Sequence, residues 1–238
     1  MNFAEYNVKD ANLEEILLAL KSLDTVEAVA LGGSRSTGAS DENSDYDIYV
    51  YCAEIPTAET RENLLGKYCS IAEFGNHYWE SEDNTVMNNG IPVDIIYREV
   101  ERFGRYIDTV IKGGKAFNGY TTAFWHNIKN SKVLFDKTGT FTKFRDMAQI
   151  DFPENLRSAI IKNNRNLLNG KLPSYDRQIK KAQERGDIVS VNHRITAFLE
   201  SYFDVIFALN RQTHPGEKGR FSSAKSIAPS CQRILKKT

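Results

Sequence analysis

Three aspartates, Asp45, Asp47 and Asp94, and the glycine-serine step at Gly33 and Ser34 are the residues of this 238-residue chain best suited to chemistry. Residues 29–50 read VALGGSRSTGASDENSDYDIYV: two glycines and a serine close a short apolar run, and a polar loop leads to Asp45 and Asp47 at the head of the next. Asp94 stands inside another apolar run, IPVDIIYRE, where an unpaired carboxylate is costly. Carboxylates at i and i+2 of a strand share a face, and a third can approach from an adjacent strand. Three so close repel one another and resist ionising together. A divalent cation relieves the conflict, and Mg2+ prefers hard oxygen ligands with substrate phosphates completing its shell. Two such ions, about 3.5–4 Å apart, can activate an attacking hydroxyl and steady a leaving phosphate.

The glycines supply the complementary feature. Gly32 and Gly33 let backbone approach a ligand, the N–H groups at the start of a following helix face an anion, and Ser34 adds a hydroxyl. Carboxylates and cradle together suit transfer within a nucleoside triphosphate, where positioning and charge neutralisation carry most of the catalysis. Gly33 and Gly38 also match the glycine spacing of a P-loop, GxxxxGK[ST], but Ala39 occupies the lysine position. The charge that reaches the phosphates in a P-loop is therefore missing.

The elements that must position these residues follow from periodicity. Leu13, Ile16, Leu17, Leu20 and Leu23 predict an amphipathic helix over 12–23. Residues 26–31 read as a buried strand ending in the Gly32-Gly33 turn, Ser34 opens a short helix, and DYDIYVYC over 45–52 reads as a strand with Asp45, Asp47 and Tyr49 on one face. A helix over 60–71, a polar connection over 77–90, a strand over 92–97 and a helix over 99–111 follow, with a short strand at 132–135. Beyond residue 150 long helices dominate. One starts near Pro153, and Ile188, Val191, Ile195, Phe198, Leu199, Tyr202, Phe203 and Ile206 predict the spine of a small bundle over 188–209. Phe198, Tyr202, Phe203 and Phe207 belong to a core or an interface; His193 and His214, outside any ligand cluster, read as structural or surface residues.

Bulk composition narrows the function classes. The chain is 41% hydrophobic and formally neutral, with 31 basic and 31 acidic residues. Residues 1–150 hold 15 Lys+Arg against 23 Asp+Glu, and residues 151–238 hold 16 against 8. Either each half has a solvated surface of its own sign, or carboxylates of the first hold metal while basic residues of the second hold phosphates. No basic stripe with interleaved aromatics points to nucleic acid, no run reaches the roughly 18 apolar residues of a membrane helix, and the first residues lack a signal pattern, so a cytoplasmic location is expected. Cys52, Cys69 and Cys231 lack metal-ligand spacing and read as isolated reduced thiols.

LGGSRSTGASDENSDYDIYV with the later VDIIYRE resembles the nucleotidyltransferase superfamily of DNA polymerase β type. That family's pattern is Gly-Ser, a spacer, Asp-x-Asp on a strand, and a third acidic residue on a later strand. With its helical second half, the layout is similar to bacterial nucleotidyltransferases that adenylylate aminoglycosides or lincosamides. The resemblance implies an α/β (α+β) catalytic domain over 1–148, a short mixed sheet flanked by helices, and an all-α helical bundle over 149–238 on the acceptor side. It implies that Gly33 and Ser34 hold the triphosphate of ATP or another NTP, that Asp45 and Asp47 bind two Mg2+ ions, and that Asp94 completes the site. Arg35 is expected at a phosphate or in an exposed ion pair, and Lys218, with Arg194 and Lys225, at the triphosphate or on a solvated face. Some enzymes of this kind use a further carboxylate as general base; Glu80, Glu82 and Asp83 are the candidates, with Glu80 beside Trp79 chosen. The implied reaction moves AMP or another NMP to a hydroxyl of a small molecule. Modification of a protein or RNA partner, and a non-catalytic nucleotide-binding regulator, are the competing readings, with monomer and homodimer both open.

Overall fold

Helix α1 (Ala11–Ser22) forms where apolar residues recur every three or four positions. Asp10 caps it, accepting from the amides of Asn12 at 3.0 Å and Leu13 at 3.3 Å. The computed structural model that contains it describes residues 8–38, 44–170, 172–217 and 220–227. These divide into two units, Met1–Tyr106 with Asn127–Gln149, and Ile107–His126 with Ile150–Thr238. The segment Ile107–His126 thus groups with the helical residues beyond 150, where the sequence reading drew one boundary after residue 148.

The first unit is a six-stranded mixed sheet with helices against it. Its elements are β1 (Val26–Leu31), α2 (Gly33–Thr37), β2 (Tyr46–Cys52), α3 (Ala58–Leu65), β3 (Cys69–Asn76), β4 (Ser81–Met87), β5 (Pro92–Glu99), the start of α4 (Val100–Ile111), the end of α5 (Ala123–Asn130), β6 (Lys132–Asp136) and α6 (Thr140–Ala148). The strand order is β3-β4-β5-β2-β1-β6. Only β2 and β5 pair in parallel, and their register sets Asp47 opposite Asp94. Leu13, Ile16, Leu17 and Leu20 of α1 pack with Val29, Leu31, Ile48, Val50, Val93 and Ile95 on one sheet face. Each such side chain withdrawn from water contributes about 1.5–3 kcal/mol before entropy is counted. On the opposite face Tyr51 meets the rings of Phe103, Phe141 and Phe144 at 5.3–5.7 Å, closing the deeper part of that surface.

Two expectations are corrected here. The helix expected over 60–71 stops at Leu65; a 3-10 turn (Gly66–Tyr68) then leads into β3. The polar connection expected over 77–90 is largely β4. The cause is a polar inward face: Asp83 and Thr85 are buried on β4 with Met87, so apolar alternation is absent although backbone alternation is present. Asp83 is admitted to the interior by Arg61 of α3, 3.4 Å away and itself buried, and by the Gly75 amide at 2.8 Å.

The second unit is helical: α7 (Glu154–Asn169), α8 (Tyr175–Glu184), α9 (Ile188–Leu209) and α10 (Arg220–Ile227), with Pro153 at the N-cap of α7 as expected. Helix α9 packs on α7 and α8. Its stripe is only partly interior. Val191, Phe203, Ile206 and Phe207 are buried, whereas Ile188, Ile195 and Leu199 are exposed, so the interior stripe is interrupted and runs mainly along the C-terminal half. His214 is buried between the rings of Tyr120 and Phe207, a structural position.

Buried Asp204 of α9 ties the loop before α5 to α7. It accepts from the Thr121 amide at 3.1 Å, the Thr121 hydroxyl at 2.7 Å and the Asn164 amide group at 3.1 Å. Burial lifts its carboxyl from an ordinary 3.8 to about 6, against those hydrogen bonds. Between these values the folded chain holds the proton more tightly than the unfolded one, so this group's contribution to stability falls as pH rises from about 4 to 6. Denaturation of wild type and Asp204→Asn at pH 4 and 7 should show their difference moving by about 2 kcal/mol in the variant's favour at the higher pH.

Candidate active site

Asp45, Asp47 and Asp94 converge: each offers a carboxylate oxygen, and the three oxygens lie within 4.8 Å of one another, all half-buried. Strand β2 brings Asp47 to the sheet face, Asp45 precedes its first residue, and β5 supplies Asp94 from the neighbouring register position. Such a set of hard oxygen donors at one spot suits a divalent cation and is unfavourable without positive charge.

The two glycines are fixed by the same strand. The Gly32 amide donates to the Asp47 carbonyl at 2.8 Å, and a Cβ at Gly32 would stand 2.1 Å from the Tyr49 ring. Gly33 has a φ of +60°, and a Cβ there would lie 1.7 Å from Asp47 Oδ2. The backbone at Gly33 therefore passes directly over the carboxylate, an approach no other residue permits. Ser34 follows in the first turn of α2, half-buried.

Arg35 is not a free phosphate ligand. Its Nε donates to the carbonyls of Ser44 at 2.9 Å and Asp45 at 3.1 Å, Nη2 donates to Ser44, and the guanidinium lies 4.0 Å over the Tyr46 ring. It clamps the backbone that carries Asp45. Lys218 lies outside the described residues; Arg194 is half-buried and Lys225 exposed, both in the helical unit.

Three rows run across the sheet face below the aspartates. Asn84, Asp94 and Asp47 form the first, Glu82, Ile96 and Tyr49 the second, and Arg98 with Tyr51 the third. Glu80, chosen above as base, is engaged at the third row: its two oxygens accept from Arg98 Nε at 2.8 Å and Nη2 at 2.7 Å. Arg98, 5% exposed, also donates to Tyr51 at 3.2 Å and Asn127 at 2.9 Å and lies 4.2 Å over the Tyr49 ring. Burial alone would lower this guanidinium, but Glu80 and the tyrosines hold it protonated. Burial also pushes the Tyr49 phenol up to about 12, with Asp47 and Glu80 adding to the rise, so this ring stays neutral beside the site. Asp83 points to the other face and is buried against Arg61. That leaves Glu82 of the three candidates, half-buried on the face with Asp94; burial, then the charges of Asp94, Glu80 and Asp83, push its carboxyl up. Sequence reasoning weighed Glu82 and missed Asn84, because both sit on the strand whose inward positions are polar. Separately, the helical unit has a cavity of about 450 Å³ lined by Ala116, Ala159, Lys162, Asn163, Asn166 and Leu167.

Residues 13–117 match the family model described as a nucleotidyltransferase domain, and this part of the chain is such a domain. Residues 122–219 match a domain of unknown function (DUF4037). No curated protein matches the chain. Similar solved structures include a nucleotidyltransferase-like protein from Exiguobacterium sibiricum 255-15, 10% identical with a TM-score of 0.47, covering 94% of this chain and 65% of that one. An aminoglycoside 6-adenyltransferase from Bacillus subtilis is 11% identical at a TM-score of 0.32, with 95% and 78% covered. A CCA-adding enzyme from Thermotoga maritima, complexed with tRNA, is 15% identical at 0.33, with 86% and 53% covered.

Proposed function

We propose that this protein is a Mg2+-dependent nucleotidyltransferase that moves AMP or another NMP from a nucleoside triphosphate to a hydroxyl of a small molecule, such as an aminoglycoside or lincosamide. The observation that carries this reading is the convergence of Asp45, Asp47 and Asp94 within 4.8 Å, in a domain of that family. The three carboxylates hold the metal. When bound, two Mg2+ ions would polarise the acceptor hydroxyl and the α-phosphate and offset charge on the departing pyrophosphate. Gly33 lets the backbone come close enough to seat phosphate oxygens, with Ser34 as a further donor. The acceptor oxygen forms a bond to the α-phosphorus, the bond to the β-phosphate oxygen breaks, and pyrophosphate leaves. Glu82, on the sheet face that carries Asp94, takes the hydroxyl proton.

Incubation with Mg-NTP and a panel of hydroxyl-bearing antibiotics, with RNA and protein arms alongside, followed by mass spectrometry, tests the reading. A nucleotidyl adduct on a small molecule supports it; adducts confined to RNA or protein overturn the acceptor class. Glu82→Gln should lower kcat by about 10²–10⁴ with little change in KM for the NTP. Glu80→Gln should instead cost stability, about 3 kcal/mol, by leaving Arg98 buried without its carboxylate. A Glu80→Gln variant as inactive as Glu82→Gln yet as stable as wild type would reverse these roles.

A further inference from the structure

We infer that Asn84 is a positioning residue for the third metal-binding carboxylate, acting through a directional amide relay that runs from Asp94 to the sheet edge. The inference rests on the proposed function and deepens it. Asn84 Nδ2 donates to Asp94 Oδ1 at 2.9 Å, and among the described residues no other side chain is hydrogen-bonded to that carboxylate. The orientation of the Asn84 amide is set from behind, because its Oδ1 accepts from Asn76 Nδ2 at 2.7 Å. Asn76 in turn directs its second N–H to Glu73 Oε2 at 3.4 Å. Glu73 and Asn76 lie on the edge strand β3, Asn84 on β4 and Asp94 on β5, with Asn84 directly opposite Asp94 in the ladder. Every donor in the chain therefore has one assignment, and a flipped Asn84 would set oxygen against oxygen at Asp94 and N–H against N–H at Asn76.

The chemical consequence is selective. A carboxylate on a strand can rotate about its Cα–Cβ and Cβ–Cγ bonds, and one hydrogen bond to Oδ1 fixes which oxygen faces the neighbouring aspartates. Oδ2 and one lone pair of Oδ1 remain for the ion. Partners that orient metal ligands in this way typically carry 10–100-fold in metal affinity. Asn84 touches neither the ion nor the substrate, so it acts through Asp94 alone.

Mn2+ binding to the full chain without nucleotide, followed by electron paramagnetic resonance, separates this role from a structural one. Asn84→Ala should weaken Mn2+ binding about 10–100-fold. Asn76→Ala, which leaves the Asn84–Asp94 contact in place and removes only its backing, should weaken it less and in the same direction. Both variants should melt within a few degrees of wild type in the absence of metal, because both side chains are half-exposed. Wild-type affinity in Asn84→Ala, or lower affinity accompanied by a matching loss of metal-free stability, overturns the relay and leaves the proposed function standing. A wild-type chain that binds no Mn2+ overturns both.

Discussion

Replacing Asp47 by asparagine should remove nucleotidyl transfer and leave the fold in place. Asp47 is the central carboxylate of the three, opposite Asp94 in the β2–β5 register and covered by the Gly33 backbone. Asparagine has the same shape, so the close passage at Gly33 survives, and the residue is half-exposed, so little packing is lost. What disappears is one negative charge and one anionic oxygen at the point where positive charge must gather. A loss of several kcal/mol of transition-state stabilisation is expected, and about 4 kcal/mol corresponds to about three decades in rate. Label transfer from an α-labelled NTP measures the loss, and a thermal melt without metal should move little. Transfer at more than a tenth of the wild-type rate would show that Asp47 is not at the reacting centre.

Gly33→Ala has the second largest effect and a different signature. A Cβ 1.7 Å from Asp47 Oδ2 cannot be accommodated by a small adjustment, and the φ of +60° adds about 1–2 kcal/mol of backbone strain. Either the β1–α2 turn or the Asp47 carboxylate must move, and a displacement of about 1 Å at a reacting centre is enough for about 10²-fold in rate. Activity and stability should therefore fall together, in contrast to Asp47→Asn. Gly38→Ala is the control. Its φ is +77°, but nothing lies within 4 Å of the added methyl, so it should show the strain without the loss of transfer. Equal activities of the two alanine variants would remove the steric account of Gly33.

The parts of the site legible in the sequence are those whose residue types are rare in their setting. An aspartate between Val93 and Ile95, a double glycine closing an apolar run and an Asp-x-Asp at the head of a strand are each unusual, and together they announced Asp45, Asp47, Asp94 and Gly33. The sequence shows only that a third carboxylate can approach from an adjacent strand; the parallel pairing that sets Asp47 opposite Asp94 depends on contacts across 47 residues of chain. Strands β3 and β4 were illegible for a physical reason: their interior is built from the Arg61–Asp83 pair and Thr85, so hydrophobic alternation could not reveal them. With β4 hidden, Glu80 is the choice among Glu80, Glu82 and Asp83, whereas the structure pairs Glu80 with Arg98, turns Asp83 to the buried face and sets Glu82 on Asp94's side. Arg35 shows the opposite failure. It is expected at a phosphate or in an exposed ion pair, whereas the acceptors it meets are the carbonyls of Ser44 and Asp45, which residue spacing does not reveal.

The central claim is that three carboxylates and a glycine turn move a nucleotidyl group, and parallel reactions with α- and γ-labelled NTP in the presence of Mg2+ and an accepting antibiotic test it most directly. The account predicts α-label in the modified acceptor and γ-label in pyrophosphate, both lost when the metal is chelated. Label from the γ position in the acceptor, or metal-independent transfer, would contradict it.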